Sequence, residues 1–454
     1  MELAGKKVLV FGTGISGIAA AKLLLNHQTE VILFDGNKEL DQNRVMGHFA
    51  GESERIHLYV GEIPPEIQES LDLAVLSPGV PVDLPMVEEW KAKGLPIWGE
   101  IELAYRCGKG DVLAITGTNG KTTTTALLGE IMKSCYPSVQ VVGNIGIPYT
   151  GVADEAKEDT VTVAEISSFQ LETIDEFCPK VSAILNITPD HLNRHHTMEC
   201  YINAKMDIAK NQGAKEFCIL NYEDEVLRKR AGELNAKVLF FSSLSKLDEG
   251  MYLDGDTIIY ANNGSKEKVI DTHELNILGR HNHENAMAAA LMAASYGVPM
   301  ENIRNVLKNF QAVEHRIEYV TEKRGVRFYN DSKGTNPDAA IKGIQAMDRP
   351  TLLIGGGYDK QSEYSDWIKS FDGKVKKLVL IGQTREKIAE CAKACGFCDY
   401  VYADSLQEAV DICYENAVNG DAVLLSPACA SWGMFPNYEI RGKMFKEMVH
   451  ALKE

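Results

Sequence analysis

The sequence predicts an α/β protein built as three consecutive domains, and three observations carry that prediction. Short β-branched strands alternate with amphipathic helical stretches along most of the chain, the pattern of parallel sheets covered by helices. One such strand, VLAITG from Val112, runs straight into a glycine-bearing turn that ends in Gly-Lys-Thr. A chain of 454 residues also exceeds what one core can organise and points to roughly three domains of about 150 residues.

The first series of strands runs through VLVFG (from Val8), EVILFD (from Glu30), IHLYVG (from Ile56), LAVLSPG (from Leu73) and PIWGE (from Pro96), and defines a Rossmann-like domain over residues 1–99. The second contains VLAITG, VTVAEISS (from Val161), VSAILNIT (from Val181), FCILN (from Phe217) and VLFFSS (from Val238). It defines a central P-loop ATPase-type domain over residues 100–312. Its polar stretch Leu247 to Leu275 reads as a small antiparallel excursion, and the Ala-rich run from Ala286 to Ala294 as a buried helix. The third series, VRFYNDS (from Val326), TLLIGGG (from Thr351), KKLVLIG (from Lys376), DYVYADS (from Asp399) and DAVLLSP (from Asp421), defines a second Rossmann-like domain over residues 313–454.

Composition narrows the function classes. Hydrophobic residues at 45% and charged residues at 24% exclude a disordered chain, and a net charge of −17 argues against binding nucleic acid or an anionic membrane surface. The opening MELAGKK leads into a strand by Val8, so no signal peptide is expected, and no apolar run approaches a membrane span. Ten cysteines without a paired CxxC…CxxC arrangement suit a reducing cytoplasm. Cys391, Cys395 and Cys398 lack a fourth metal ligand and read as ordinary thiols.

The TGTNGKTT segment is a phosphate cradle. Gly117 and Gly120 let the backbone approach phosphate oxygens, with Thr118 and Asn119 between them. The following helix offers free N–H groups through Thr122 and Thr123, Lys121 adds a cation, and Thr122 can hold Mg²⁺. ATP is the expected ligand. Glu165, at the end of a buried strand beside this loop, has the chemistry to hold a magnesium ion on nucleotide phosphates. His191 in PDHLNRH is a soft ligand for that metal, and Lys205 in YINAKMD reads from the residues alone as a solvated helix lysine. His281, Asn282 and Asn285 share one helix face. In the third domain Arg316 suits a transferring phosphate, Asp331 the ribose hydroxyls of ATP, and Lys333 the charge of phosphate or intermediate.

A second glycine motif, VLVFGTGISG, satisfies GxGxxG with Gly12, Gly14 and Gly17, and Asp35 closes the next strand. An NAD(P)-dependent oxidoreductase is therefore one reading of this chain, and a non-catalytic ATP-switched binding protein is another. Neither needs Glu165, His191 and Lys205 together with two phosphate sites.

Taken in order, LSPG, GTNGKTT, EISSFQLE, PDHLNRH, the HNxxNA helix, HRIE, NDSKGTN and SPACAS resemble the Mur ligase and folylpolyglutamate synthetase superfamily across essentially the whole chain. Ile115 stands where a plain Walker loop has glycine, which agrees with that superfamily's spelling. The nearest resemblance is to the branch that adds D-glutamate to UDP-N-acetylmuramoyl-L-alanine in peptidoglycan synthesis. It implies an ATP-dependent amide ligase working through an acyl phosphate, with two Mg²⁺ ions, as a monomer, whose third domain closes on the central one. It implies that Gly14, Ile15, Ser16 and Gly17 meet the UDP diphosphate, that Asp35 lies near the uridine, and that Ser77, Asn144, Ser167 and His191 contact the same substrate. It makes His191 a metal contact, Lys205 a carbamate that organises the second magnesium, and Asn282 and Asn285 adenine contacts. The D-glutamate pocket falls to Thr335, Lys360, Ser431 and Tyr438. This sequence departs from the pattern twice there: the glycine segment before Lys360 is one residue longer, and Gly433 replaces a common aspartate. L-Alanine or diamino-acid addition and folate glutamylation are the alternatives within the class.

Overall fold

The computed structural model describes residues 2–453 apart from 53, 145 and 312. The joint expected near residue 312 thus lies outside the described residues. The chain forms two compact units, one of residues 1–271 with 285–307 and the other of residues 272–284 with 308–454.

In the first unit, β1 (Lys7–Phe11), β2 (Glu30–Asp35), β3 (Ile56–Val60), β4 (Leu73–Leu76) and β5 (Ile97–Gly99) form a parallel sheet in the order β3-β2-β1-β4-β5. Val8, Leu9 and Val10 are fully buried, as a central strand covered on both faces requires. Strand order reverses between β1 and β4, and ligands of doubly wound sheets sit in the crevice beyond such a point. Gly12 and Ser77 leave the sheet there.

The second sheet of this unit comprises β6 (Asp111–Thr116), β7 (Val139–Gly143), β8 (Val161–Glu165), β9 (Val181–Ile184), β10 (Phe217–Asn221), β11 (Lys237–Ser242), β12 (Gly250–Asp254), β13 (Thr257–Asn262) and β14 (Ser265–Asp271). Its order is β14-β13-β12-β11-β10-β9-β6-β8-β7. The polar excursion forms antiparallel strands, and these belong to the main sheet: β12 joins β11 in parallel, and β13 and β14 extend it in antiparallel pairing. At the outer strand β14 the carbonyls of Lys268 and Val269 accept hydrogen bonds from Arg304 Nε (3.1 and 3.2 Å), and Lys266, Glu267 and Lys268 are exposed. Strand β7 escaped the sequence reading because it is a short, half-buried edge with Gln140 at its second position. The alanine-rich run lies in the helix Arg280–Tyr296, where Ala286 through Ala290 are fully buried.

The two sheets of this unit are tied by two buried glutamates in the helix Glu100–Cys107. Glu102 accepts backbone N–H bonds from Asp175, Glu176 and Phe177 at 2.8–3.0 Å, and Glu100 accepts from Thr150 N and Gln170 Nε2, both at 3.1 Å. Desolvation holds the Glu100 carboxyl above its ordinary pKa despite those donors.

The second unit contains β15 (Glu318–Lys323), β16 (Val326–Asn330), β17 (Thr351–Gly355), β18 (Val375–Leu380), β19 (Tyr400–Tyr402) and β20 (Ala422–Leu425), in the order β15-β16-β20-β17-β18-β19. Only β15 is antiparallel. This strand, EYVTEK, is a polar edge, and its composition hid it from the pattern. The carboxyl ends of β16, β17 and β20 adjoin, so NDSKGTN, GGGYDK and SPACAS emerge side by side.

Candidate active site

The phosphate loop joins β6 to the helix Lys121–Lys133. Gly117 has φ +150° and Gly120 φ +88°, and no side chain caps the helix, which leaves its first turn to a ligand. Asn186 braces the loop: its carbonyl accepts from Thr118 N (2.9 Å), its Oδ1 from Asn119 N (2.8 Å), and its Nδ2 donates to Asn119 O (3.0 Å). Thr118 Oγ1 accepts from Thr188 N (3.0 Å) and lies 2.9 Å from the Tyr201 hydroxyl. The sequence reading included Asn186 in a strand and gave it no role. Thr122 and Thr123 are buried in the first turn. Asn285 packs on this turn, with its Oδ1 3.3 Å from Thr124 Oγ1 and directly in the path of a Cβ on Gly120. Gly120→Ala therefore combines a left-handed backbone with a collision, and is expected to destabilise the first unit by about 1–3 kcal/mol and to weaken nucleotide binding. Urea unfolding alongside nucleotide titration checks both effects.

Two lysines converge on one carbonyl. Lys121 Nζ donates to Gly117 O (2.7 Å) and Thr118 O (2.9 Å), and Lys205 Nζ donates to Gly117 O at 2.8 Å. Lys205 is not the solvated helix lysine its sequence context suggests. It is 1% exposed and lies 4.7 Å from the Tyr201 ring centroid. Burial, seconded by the Lys121 charge and opposed by Asp190, holds its amine well below the ordinary lysine pKa. Nearby, β8 delivers Glu165, whose Oε1 accepts from Asn144 Nδ2 at 3.1 Å, while the buried Oε2 has no partner. A buried carboxylate oxygen left open in this way suits a cation. Among the described residues no three His, Cys, Asp or Glu side chains converge as a ready-made metal cage. Magnesium, however, needs only one or two carboxylates beside substrate phosphates and water.

His191 is exposed, takes a left-handed conformation (φ +52°) and packs edge-on against Phe169 at 5.0 Å. The Ser167 hydroxyl is engaged locally: it forms a capping box with Gln170, Oγ to Oε1 2.9 Å. Behind them lies a cluster the sequence reading missed. His195 Nε2 is 2.9 Å from Ser168 Oγ, its Nδ1 is 3.3 Å from Glu172, and Arg194 bonds both Glu172 (2.7 Å) and the Val80 carbonyl (2.9 Å). Burial drives the His195 pKa down to about 4, so this imidazole is neutral at physiological pH.

At the end of the first sheet, Gly14 caps the helix Ile15–Asn26 without a side-chain partner, and Ile15 is 78% exposed. Ser16 is half-buried and Gly17 buried. A Cβ on Gly12 or Gly17 would lie 2.8 or 2.9 Å from Ser77 Oγ, a buried hydroxyl without a partner. Asp35 is held by local donors, Thr13 Oγ1 (2.6 Å) and N (3.1 Å) on one oxygen and Asn37 N (2.9 Å) on the other. A cleft of 780 Å³ opens here, lined by Gly14, Ile15, Lys22, Arg44 and Pro148 among others.

In the second unit, Asp331 is buried and accepts from Ser426 Oγ at 2.7 Å. Burial raises its pKa to about 7, against the opposing pull of Ser426, Arg316 and Arg441. Arg316 sits between His315 and Ile317, both left-handed (φ +67° and +47°), and Lys333 N donates to His315 O. The Lys333 ammonium stands 5.3 Å from the Tyr438 ring centroid. Arg441, fully buried and absent from the sequence reading, clamps this segment to the SPACAS loop: Nε to Ser332 Oγ (2.9 Å), Nη2 to Ser332 O (2.8 Å) and Nη1 to Cys429 O (3.3 Å). Thr335 is half-buried one turn on, and Ser431 is 4% exposed. Lys360 is exposed, with its ammonium 4.9 Å from the Trp432 ring centroid. Asn282 Nδ2 donates to Leu278 O at 2.8 Å. His281 is held to a pKa of about 3 by burial and by Lys342, His283 and Arg316.

A phosphate loop and an open carboxylate stand at the carboxyl end of one sheet, a buried helix lysine bonds the loop, and a second nucleotide-type crevice belongs to the same unit; this is the arrangement of a nucleotide-using enzyme, and comparison with known proteins gives its class. The Mur ligase MurD-like N-terminal domain matches residues 6–99, the Mur ligase middle domain residues 115–293, and the Mur ligase glutamate ligase domain residues 315–429. The chain belongs to the Mur ligase family. Within it, the chain is 57% identical to a protein of Lachnoclostridium phytofermentans over 454 residues and 54% identical to one of Lachnospira eligens over 452, with all of both chains covered in each case. Both relatives are called UDP-N-acetylmuramoylalanine--D-glutamate ligase. Among solved structures, the MurC ligase of Thermotoga maritima superposes with a TM-score of 0.60 at 18% identity, covering 99% of this chain and 100% of that one. The MurF ligase of the same organism in complex with ADP gives 0.59 at 17%, covering 99% and 96%. These two share the fold.

Proposed function

We propose that the chain adds D-glutamate to UDP-N-acetylmuramoyl-L-alanine at the expense of ATP, releasing ADP and phosphate, as an ATP-dependent acid–amino-acid ligase of peptidoglycan-precursor synthesis. The observation that carries this reading is end-to-end identity of 57% and 54% with ligases of that name. No helix among the described residues is long and apolar enough to cross a membrane, which is compatible with a cytoplasmic enzyme acting on nucleotide-linked substrates as a monomer.

In this reading the alanyl carboxylate attacks the γ-phosphorus of ATP, the bond to ADP breaks, and an acyl phosphate forms. Lys121 and the uncapped first turn of its helix receive the phosphates, and Arg316 supplies a further cation to the transferred group. Asn285 and Asn282 take the adenine and Asp331 the ribose. The diphosphate of the UDP substrate meets Gly14 to Gly17 and Ser77, with Asn144, Ser167 and His191 toward its reacting end. The D-glutamate amine then attacks the acyl carbon, a tetrahedral species collapses, phosphate leaves, and the surplus amine proton passes to solvent. Lys333 steadies the negative charge of that species, while Thr335, Lys360, Ser431 and Tyr438 hold the donor amino acid. Magnesium held by Glu165, Thr122, His191 and a carbamylated Lys205 would neutralise phosphate charge. The open Oε2 of Glu165 and the low-pKa amine of Lys205 support that assignment.

Phosphate release from ATP and Mg²⁺ tests the reaction. Release is expected only with both UDP-N-acetylmuramoyl-L-alanine and D-glutamate present, and not with L-glutamate, L-alanine or lysine as donor. Release with another amino acid overturns the substrate assignment, and release with no amino acid overturns the ligase.

A further inference from the structure

The four tryptophans divide sharply. Trp90, Trp98 and Trp367 are 2%, 3% and 0% exposed, whereas Trp432 is 53% exposed. An isolated exposed apolar residue means little, but a cluster of them needs a reason. Trp432 stands edge to face with Tyr358, ring centroids 5.6 Å apart, and Tyr358 and Met434 are themselves 41% and 36% exposed.

The backbone holds these groups in place. Tyr358 N donates to Ala430 O at 2.9 Å, bridging the loop after β17 to the loop after β20. Ser431 O accepts from Phe435 N at 3.0 Å, and Gly433 takes φ +85°, so the turn that presents Trp432 is tight. On the facing loop the Lys360 ammonium lies over the indole, 4.9 Å from its centroid. Lysine is a flexible point charge that ordinarily samples many rotamers, and an indole face is the best of the aromatic surfaces at restraining it.

We propose that Trp432 is a positioning residue of the donor amino-acid site: its indole holds the Lys360 ammonium in the orientation that receives a carboxylate of the acidic amino acid, and the Trp432–Tyr358 pair becomes shielded from water when that donor binds. The proposal rests on the assignment of Lys360 to D-glutamate. The ring supplies geometry rather than charge, so its removal acts on donor affinity and leaves the phosphoryl-transfer step alone.

Steady-state kinetics on the full chain separates the two layers. Trp432→Ala and Trp432→Leu are expected to raise KM for D-glutamate about tenfold, with KM for ATP and for the UDP substrate and kcat within twofold, while Trp432→Phe, which keeps an aromatic face, recovers most of the loss. In a Lys360→Met background, itself raised in D-glutamate KM, Trp432→Ala is expected to add nothing. With three tryptophans buried, acrylamide quenching reads Trp432, and D-glutamate added with ADP and the UDP substrate is expected to reduce it. A Lys360→Met enzyme with unchanged D-glutamate KM overturns the donor-site assignment and this proposal with it. A raised KM for Lys360→Met with normal Trp432→Ala and Trp432→Leu enzymes, or full additivity of the two substitutions, overturns the positioning role alone. Quenching that D-glutamate leaves unchanged overturns the shielding.

Discussion

Lys205→Met is expected to lower phosphate release by at least about 10²-fold while leaving the first unit folded, and wild-type enzyme held in CO₂-free buffer is expected to lose activity that bicarbonate restores. Methionine fills nearly the same volume without an amine, so the exchange removes the hydrogen bond to Gly117 O and the contact of Nζ with the Tyr201 ring and little else of the packing. Were Lys205 structural alone, that exchange would be mild, because Gly117 O keeps its hydrogen bond from Lys121 Nζ and the methionine side chain still packs against Tyr201. The chemistry requires what the site provides. In the proposed carbamylation a neutral amine would attack the carbon of CO₂, a C–N bond forming as a C–O π bond opens and one proton leaving to solvent, which would give an anion where a cation would repel metal. The lysine pKa is lowered on folding, so between its lowered folded value and the unfolded value of 10.5 the folded state binds fewer protons and this group's contribution to stability rises with pH. The same depression keeps the amine available to CO₂. Native mass spectrometry in bicarbonate should show the added mass of one CO₂ on wild type and none on Lys205→Met; an unmodified wild-type amine with full activity rejects the carbamate.

Asp331→Asn is expected to stabilise the second unit at pH 8 by up to about 4 kcal/mol, the worth of a carboxyl raised from 3.8 to about 7, while raising KM for ATP. The sign follows from the direction of the shift. Folding favours the protonated form, so the contribution is fully present below pH 3.8 and is lost as pH rises through about 7. Asparagine keeps a group that can accept from Ser426 Oγ and removes the charge that burial penalises. Urea unfolding of both proteins at pH 4 and pH 8 should show a gap at pH 8 that closes near pH 4. A gap that widens instead toward acid means that Arg316 and Arg441 outweigh desolvation. On the proposed assignment of Asp331 to the ATP ribose, the wild-type enzyme gives up stability for a carboxylate that serves nucleotide binding.

The sequence made most of this legible because buried parallel strands write themselves as apolar β-branched runs: VLVF, VLAIT and AVLL all became strands where the pattern put them. The two strands it hid, β7 and β15, are half-buried edges whose polar residues break that pattern. The phosphate loop was legible for a different reason, since glycines, lysine and threonine stand there at fixed spacing. Lys205 was misjudged because nothing local distinguishes a lysine roofed by Tyr201 from one in water. Arg441, Asn186 and the Arg194–His195–Glu172 cluster were missed because their partners lie far along the chain. Arg441 meets Ser332, which stands 109 residues away, and no window of sequence holds both.

The outer strand of the nine-stranded sheet bears on a question other than catalysis. An unpaired strand is a template on which a second chain can grow, and long sheets are most exposed to that hazard. Here Arg304 occupies the carbonyls of Lys268 and Val269, and three consecutive charged side chains flank them. A neighbouring strand arriving at β14 would have to displace a guanidinium and bring its own backbone against Lys266 and Lys268. The sheet can therefore extend as far as β14 without offering that edge for strand-to-strand polymerisation in a crowded cell.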